Sequence, residues 1–91
     1  MPLVFYEKDI NVLISSENHI IVSFNDEFKK YKLLQLLLNS KYKSIYNNLL
    51  KNYNLSYTNP SNHIKEIRHT LIEVYNKLIK LILYDNILEN E

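Results

Sequence analysis

The chain offers few residues with chemistry of their own. Its histidines are His19, His63 and His69. His63 and His69 are six residues apart, which on a helix places them on different faces. They therefore make a poor pair of metal ligands, and a structural or solvated role suits them better. Ser44 and Ser61 have no base nearby in sequence and read as helix caps rather than nucleophiles. Glu66 and Glu73 share a helix face, but Lys65, Lys77 and Lys80 lie beside them, so ordinary ion pairing accounts for both. There is no Cys, which excludes disulfides, thiolate metal sites and a Cys nucleophile, and no Gly, which excludes a Gly-rich phosphate loop. The expectation is a protein that is not an enzyme and has no cofactor, metal or small-molecule substrate.

One polar group does form a pattern. Asn62, His63, Lys65, Arg68 and His69 lie at the start of a helical stretch, away from its apolar stripe. Asn and Arg are residue types that read base edges in a major groove, and Lys neutralises phosphate. Charge along the chain supports this. The net charge is only +1, yet residues 28–58 carry Lys29, Lys30, Lys32, Lys41, Lys43 and Lys51 with no acid. Residues 1–27 set Lys8 against Glu7, Asp9, Glu17, Asp26 and Glu27. Such asymmetry suggests a basic face, with Lys41, Lys43 and Lys51 helping to hold duplex DNA and Tyr42, Tyr46, Tyr53 and Tyr57 among them. The plainer reading is that these lysines only keep the surface wet.

The elements that must position these groups follow from periodicity. Residues 59–84 form one helical stretch opened by Pro60 or Ser61, with Ile64, Ile67, Leu71, Val74, Leu78 and Leu81 spaced by threes and fours. Beyond Leu71 a second stripe appears in Ile72, Tyr75, Ile79 and Ile82. That half therefore demands burial on nearly all sides, and Leu71, Tyr75, Leu78, Ile79 and Ile82 are expected at a dimer or partner interface. Upstream, residues 3–6, 10–14 and 19–24 read as three short strands separated by charged or polar turns. Residues 25–27 start a first helix. Its face of Phe28, Tyr31, Leu34 and Leu38, widened by Leu33, Leu36 and Leu37, implies a sandwiched helix that ends at residues 39–41. Ser44 caps a short second helix reaching Leu50, and residues 51–60 form a loop. With no Gly, any positive-φ position must fall to Asn, the candidates being Asn18, Asn25, Asn39, Asn54 and Asn86.

The stretch 63–71, His-Ile-Lys-Glu-Ile-Arg-His-Thr-Leu, resembles the recognition-helix pattern of the DNA-binding effector domain of OmpR/PhoB-type response regulators. Glu27-Phe28 followed by Tyr31 and Leu34 is similar to the start of that family's first helix, and residues 44–49 to its Ser-led second helix. The resemblance covers residues 3–75 as an order of elements and about nine residues as a motif. It implies a winged helix with a leading β-meander, acting as a small transcriptional regulator. The family closes with a Gly- and Tyr-rich hairpin wing. Here residues 80–88 either form a Gly-free version or continue the last helix.

The expected architecture is a single α+β domain over residues 1–91. A three-stranded antiparallel meander (1–24) leads a winged-helix-like part of three helices (25–84), the last extended, and an acidic tail (85–91). The expected function is sequence-specific or general DNA binding. The alternative is a protein-interaction module that dimerises or binds a host or partner protein through its C-terminal helix. Absence of Gly and Ala with abundant Asn, Lys, Ile and Tyr reads as an AT-rich genome, as in a virus or mobile element. No apolar run is long enough to span a membrane and no signal-peptide order opens the chain, so a cytoplasmic protein is expected.

Overall fold

The computed structural model describes residues 3–53, 55 and 57–89, the side chains of 85–89 excepted. It is an α+β chain: a 3₁₀ turn Glu7–Asp9, a hairpin of β1 (Ile10–Ile14) and β2 (Ile20–Phe24), then α1 (Glu27–Leu36), α2 (Ser40–Tyr53), a 3₁₀ turn Pro60–His63 and α3 (Ile64–Glu89). At 1.5 Å per residue α3 is about 39 Å long, the longest object in a molecule of 48 × 25 × 19 Å.

The hairpin is antiparallel with Ile10 opposite Phe24, Val12 opposite Val22 and Ile14 opposite Ile20. These three pairs face the core. Asn11 with Ser23 and Leu13 with Ile21 face outward. Ser15 closes the turn: its carbonyl accepts from Asn18 N–H, its N–H donates to the His19 carbonyl, and its Oγ accepts from the amides of Glu17 and His19. Asn18 supplies the left-handed residue (φ 63°) that Gly fills elsewhere, and among the described residues no other has a positive φ. Asn25 and Asn39 therefore do not serve that role, Asn86 lies within α3, and Asn54 is outside the described residues.

The expected third strand is not formed; the sheet has two strands. Residues 3–6 are extended, but the carboxamide of Asn76 on α3 takes the place of a neighbouring strand. Its Oδ1 accepts from Phe5 N–H at 2.7 Å and its Nδ2 donates to the Phe5 carbonyl at 2.9 Å. Tyr6 N–H then donates to Asp9 Oδ2 at 2.6 Å, which turns the chain into Glu7–Asp9 before β1 begins. With the backbone of Phe5 and Tyr6 satisfied in this way, no ladder partner is required.

The helices also differ in detail from the periodicity reading. Asp26 caps α1 by accepting from Lys29 N–H at 3.0 Å. The corner between α1 and α2 takes only three residues. Asn39 caps α2: its Oδ1 accepts from Lys41 N–H and its carbonyl from Lys43 N–H. Ser44, expected as that cap, sits inside α2, which is longer than anticipated because Asn39 starts it earlier and it runs on to Tyr53 into the expected loop, while α1 ends at Leu36, short of the expected residues 39–41. Pro60 begins the 3₁₀ turn leading into α3, as the sequence suggests. At the far end α3 continues to Glu89, so residues 80–88 form no wing hairpin.

The core is α3 laid against the inner face of the hairpin and against α2. Ile67, Leu71, Val74, Tyr75, Leu78, Ile79 and Ile82 are buried with Phe5, Ile10, Val12, Leu33 and Leu49. Tyr75 is its centre, with ring centroids 5.2 Å from Phe5, 5.9 Å from Phe24 and 6.1 Å from Tyr46. Burial pushes the Tyr75 and Tyr46 hydroxyls above their ordinary pKa, Tyr75 more strongly because Tyr46 lies beside it.

Candidate functional site

The five residues expected at a dimer or partner interface, Leu71, Tyr75, Leu78, Ile79 and Ile82, are buried within the single chain. This corrects the sequence reading. Apolar coverage of more than one face of α3 is met by three neighbours at once, the hairpin, α2 and the N-terminal segment. No partner is needed to hide it.

The residues expected to read DNA come together only in part. Asn62 and Lys65 are exposed at the start of α3. His63 stacks on Tyr57, ring centroids 4.7 Å apart, with its Nδ1 3.9 Å from Glu66. His69 points its Nε2 at Glu7 Oε1, 2.6 Å away. Arg68 is half-buried, its Nε shielded from solvent without a hydrogen-bond partner. His19 stands apart on the hairpin turn, 3.8 Å from Glu17. Among the described residues no three acidic or histidine side chains converge as a metal site would require. Lys41, Lys43 and Lys51 line the outward face of α2 with Ser40, Ser44, Asn47, Asn48 and Asn52, all exposed, and no acid.

A different surface is the better-formed one. An open groove of about 790 Å³ lies between α1 and the C-terminal half of α3. Phe28, Lys32 and Leu36, each one turn after the last, line it from α1. Ile79, Ile82 and Leu83 line it from α3; the first two are buried and form its floor, while Leu83 is half-exposed. Leu3, Val4 and Tyr6 complete it.

The groove persists because α1 is held at one end. Asp9 is almost fully buried and accepts from Lys29 Nζ at 2.7 Å, fixing the first turn of α1 to the Glu7–Asp9 turn. Burial alone would raise the Asp9 pKa. The bond from Lys29, the bond from Tyr6 N–H and the charges of Lys29 and Lys8 outweigh it and hold the carboxyl below the usual range. Lys29 Nζ also lies 4.8 Å from the centre of the Tyr6 ring. Only Leu33 of α1 is fully buried. Phe28 is 66% exposed and Leu38 85%, with Tyr31 and Leu34 also open to solvent. The sandwiched first helix expected from sequence is therefore covered on one side only. Its remaining apolar surface is contiguous with the groove or opposite it.

Sequence reasoning placed Phe28 and Leu36 on the first helix but not in a site, and gave Leu3, Val4, Tyr6 and Leu83 no site role. The signal was there: α1 carries apolar residues around most of its circumference, more than a two-stranded sheet and one helix can cover. No helix among the described residues is long and apolar enough to cross a membrane. Comparison with known protein families, curated protein sequences and solved structures finds no match to this chain.

Proposed function

We propose that the protein is an interaction module that binds a partner protein through the groove between α1 and α3. The observation that carries this reading is the set of large apolar side chains left exposed around one concave surface: Phe28, Val4, Tyr6 and Leu83. Soluble chains rarely expose such contiguous surface without using it. The interface expected on the buried face of α3 is thereby moved to the groove beside it, where Ile79 and Ile82 contribute only their edges. A photocrosslinking residue in place of Phe28, compared with the same group in place of Asn47 on α2, tests this. Crosslinking to one protein species from position 28 alone supports it. Equal capture from both positions, or none from 28, overturns it.

A second reading, DNA binding, is favoured by one observation: the acid-free outward face of α2 with Lys41, Lys43 and Lys51. On that reading these lysines and Lys65 contact phosphates and Asn62 reads a base edge, while Arg68, His63 and His69 have first to leave their present neighbours. Affinity would then fall steeply with salt. A duplex titration at low salt that shows no binding at tens of micromolar protein removes it. The geometry supports the groove more strongly, because three of the five α3-end residues meant to contact DNA are already engaged or shielded within the chain.

A further inference from the structure

Resting on the groove reading, we propose that the groove's occupant is an amphipathic helix of the partner, carrying acidic side chains beside its apolar stripe. The groove's shape points to a helix. Its α1 wall is Phe28, Lys32 and Leu36, spanning two turns or about 12 Å. Its α3 wall is Ile79, Ile82 and Leu83, at helical spacing as well. Two helical ridges over that length suit a third helix presenting apolar residues at i, i+4 and i+7.

Backbone chemistry points the same way. An extended peptide needs unpaired N–H and C=O groups beside it, and helical walls have none to offer. On the N-terminal side, Phe5 and Tyr6 have their backbone groups bonded to Asn76 and Asp9, which leaves only Leu3 and Val4 beside the groove, too short an edge for an extended peptide to pair with. A helix brings its own hydrogen bonds and needs only side-chain contact.

Charge decides what flanks the stripe. The groove lining includes Lys29 and Lys32 and no acid. Lys29 is already matched by Asp9. Lys32 rests over the Phe28 ring, Nζ 5.6 Å from its centre, and among the described residues no carboxylate meets it. Lys8 lies similarly over Tyr6, at 5.9 Å. A partner helix with Asp or Glu next to its stripe answers Lys32, and a basic one is repelled. Since Lys32 is exposed, this contact sets preference and orientation, while the exposed apolar side chains of Phe28, Tyr6, Leu83 and Val4 supply most of the affinity.

The experiment selects a displayed library of 16-residue helical peptides, randomised on all surface positions, against the full 91-residue chain. Enriched peptides are expected to carry apolar residues at i, i+4 and i+7 with an excess of Asp or Glu alongside. Lys32→Glu, an exposed change that leaves packing alone, should weaken them about three- to ten-fold. Binders with no acidic excess, or binders indifferent to Lys32→Glu, overturn the acidic-helix inference. Phe28→Asp and Leu83→Asp then report on the groove itself: loss of such binders in these variants keeps the groove reading. Binding that survives both substitutions, or no enrichment at all, overturns the groove reading along with the inference.

Discussion

Helices α1 and α3 both carry large apolar side chains at helical spacing, and the molecule treats them in opposite ways. On α3 the apolar residues are inside: Leu78 and Val74 have no exposure at all, and Tyr75 anchors an aromatic cluster drawn from four elements. On α1 one residue, Leu33, is fully buried, and the helix is fixed mainly by the Asp9–Lys29 pair and the Asp26 cap. The lesson is about supply. One hairpin and one partner helix provide enough apolar surface to cover a single central helix. The central position goes to α3, whose length lets it meet α2, β1 and both 3₁₀ turns. What α1 exposes is left over, and it is the leftover surface that is free to bind something.

That contrast is broken or sharpened by substitution. The largest expected effect is Leu78→Ala, which opens a cavity in the core and should cost about 2–5 kcal/mol in chemical denaturation. Leu34→Ala, the same chemistry on α1, should cost no more than about 0.5 kcal/mol. Similar losses at the two positions would mean that α1 is packed as tightly as α3. Next is Lys29→Met, which leaves the Asp9 carboxylate buried without its cation and should cost about 1.5–3 kcal/mol at neutral pH. Asp9 has a folded pKa below its unfolded value of 3.8, so its contribution is complete above that value. It is lost as pH falls through the folded pKa. Asp9→Asn should therefore flatten the acid limb of the stability curve below about pH 4.

Asn76→Ala should cost about 1–3 kcal/mol, since it orphans both backbone groups of Phe5. It should also speed amide exchange at Phe5 while the exchange of β1 and β2 changes little. Unchanged exchange at Phe5 would show that the carboxamide is not what holds the N-terminal segment. For the tyrosine pair the sign is the reverse of that for Asp9. Tyr46 and Tyr75 have hydroxyls raised above the ordinary 10.0, so their contribution is full below pH 10 and is lost as pH rises toward their folded values. Tyr75→Phe should flatten that alkaline limb. It should also cost about 1 kcal/mol at neutral pH by leaving the Tyr46 hydroxyl without its neighbour.

Much of this architecture was legible in the sequence, and what escaped has identifiable causes. The helical stripe from Ile64 through Leu81, the start at Pro60 and the hairpin turn could be read because local spacing and turn chemistry determine them, while Asn18 was only one of five asparagines offered for positive φ. The third strand could not. Residues 3–6 have strand composition, and only tertiary structure reveals that Asn76, 71 residues away from Phe5, replaces the neighbouring strand. The start of α2 was missed because Asn39 and Ser44 are both good caps and local pattern does not choose between them. The site was misplaced for a related reason. Surplus apolar surface was expected on α3, with α1 sandwiched, and the structure reverses the two: periodicity does not say which of two apolar helices is covered, and the surplus lies on α1.

The smallest expected effect on stability is the most telling for function. Phe28 is the second residue of α1 and is 66% exposed, so Phe28→Asp removes little buried area. An acid in the first turn also suits the helix dipole, and Lys32 one turn on is a favourable neighbour. Stability should therefore change by no more than about 0.5 kcal/mol. The same substitution puts a carboxylate on the wall of an apolar groove, where a partner's apolar side chain would have to desolvate it, so partner binding should fall by a factor of ten or more. Leu34→Asp is the control, since Leu34 is exposed on the same helix and outside the groove lining. It should leave both stability and binding nearly unchanged. If Leu34→Asp abolished binding and Phe28→Asp did not, the working face of α1 would be the outer one, and the groove would be only a gap between two helices.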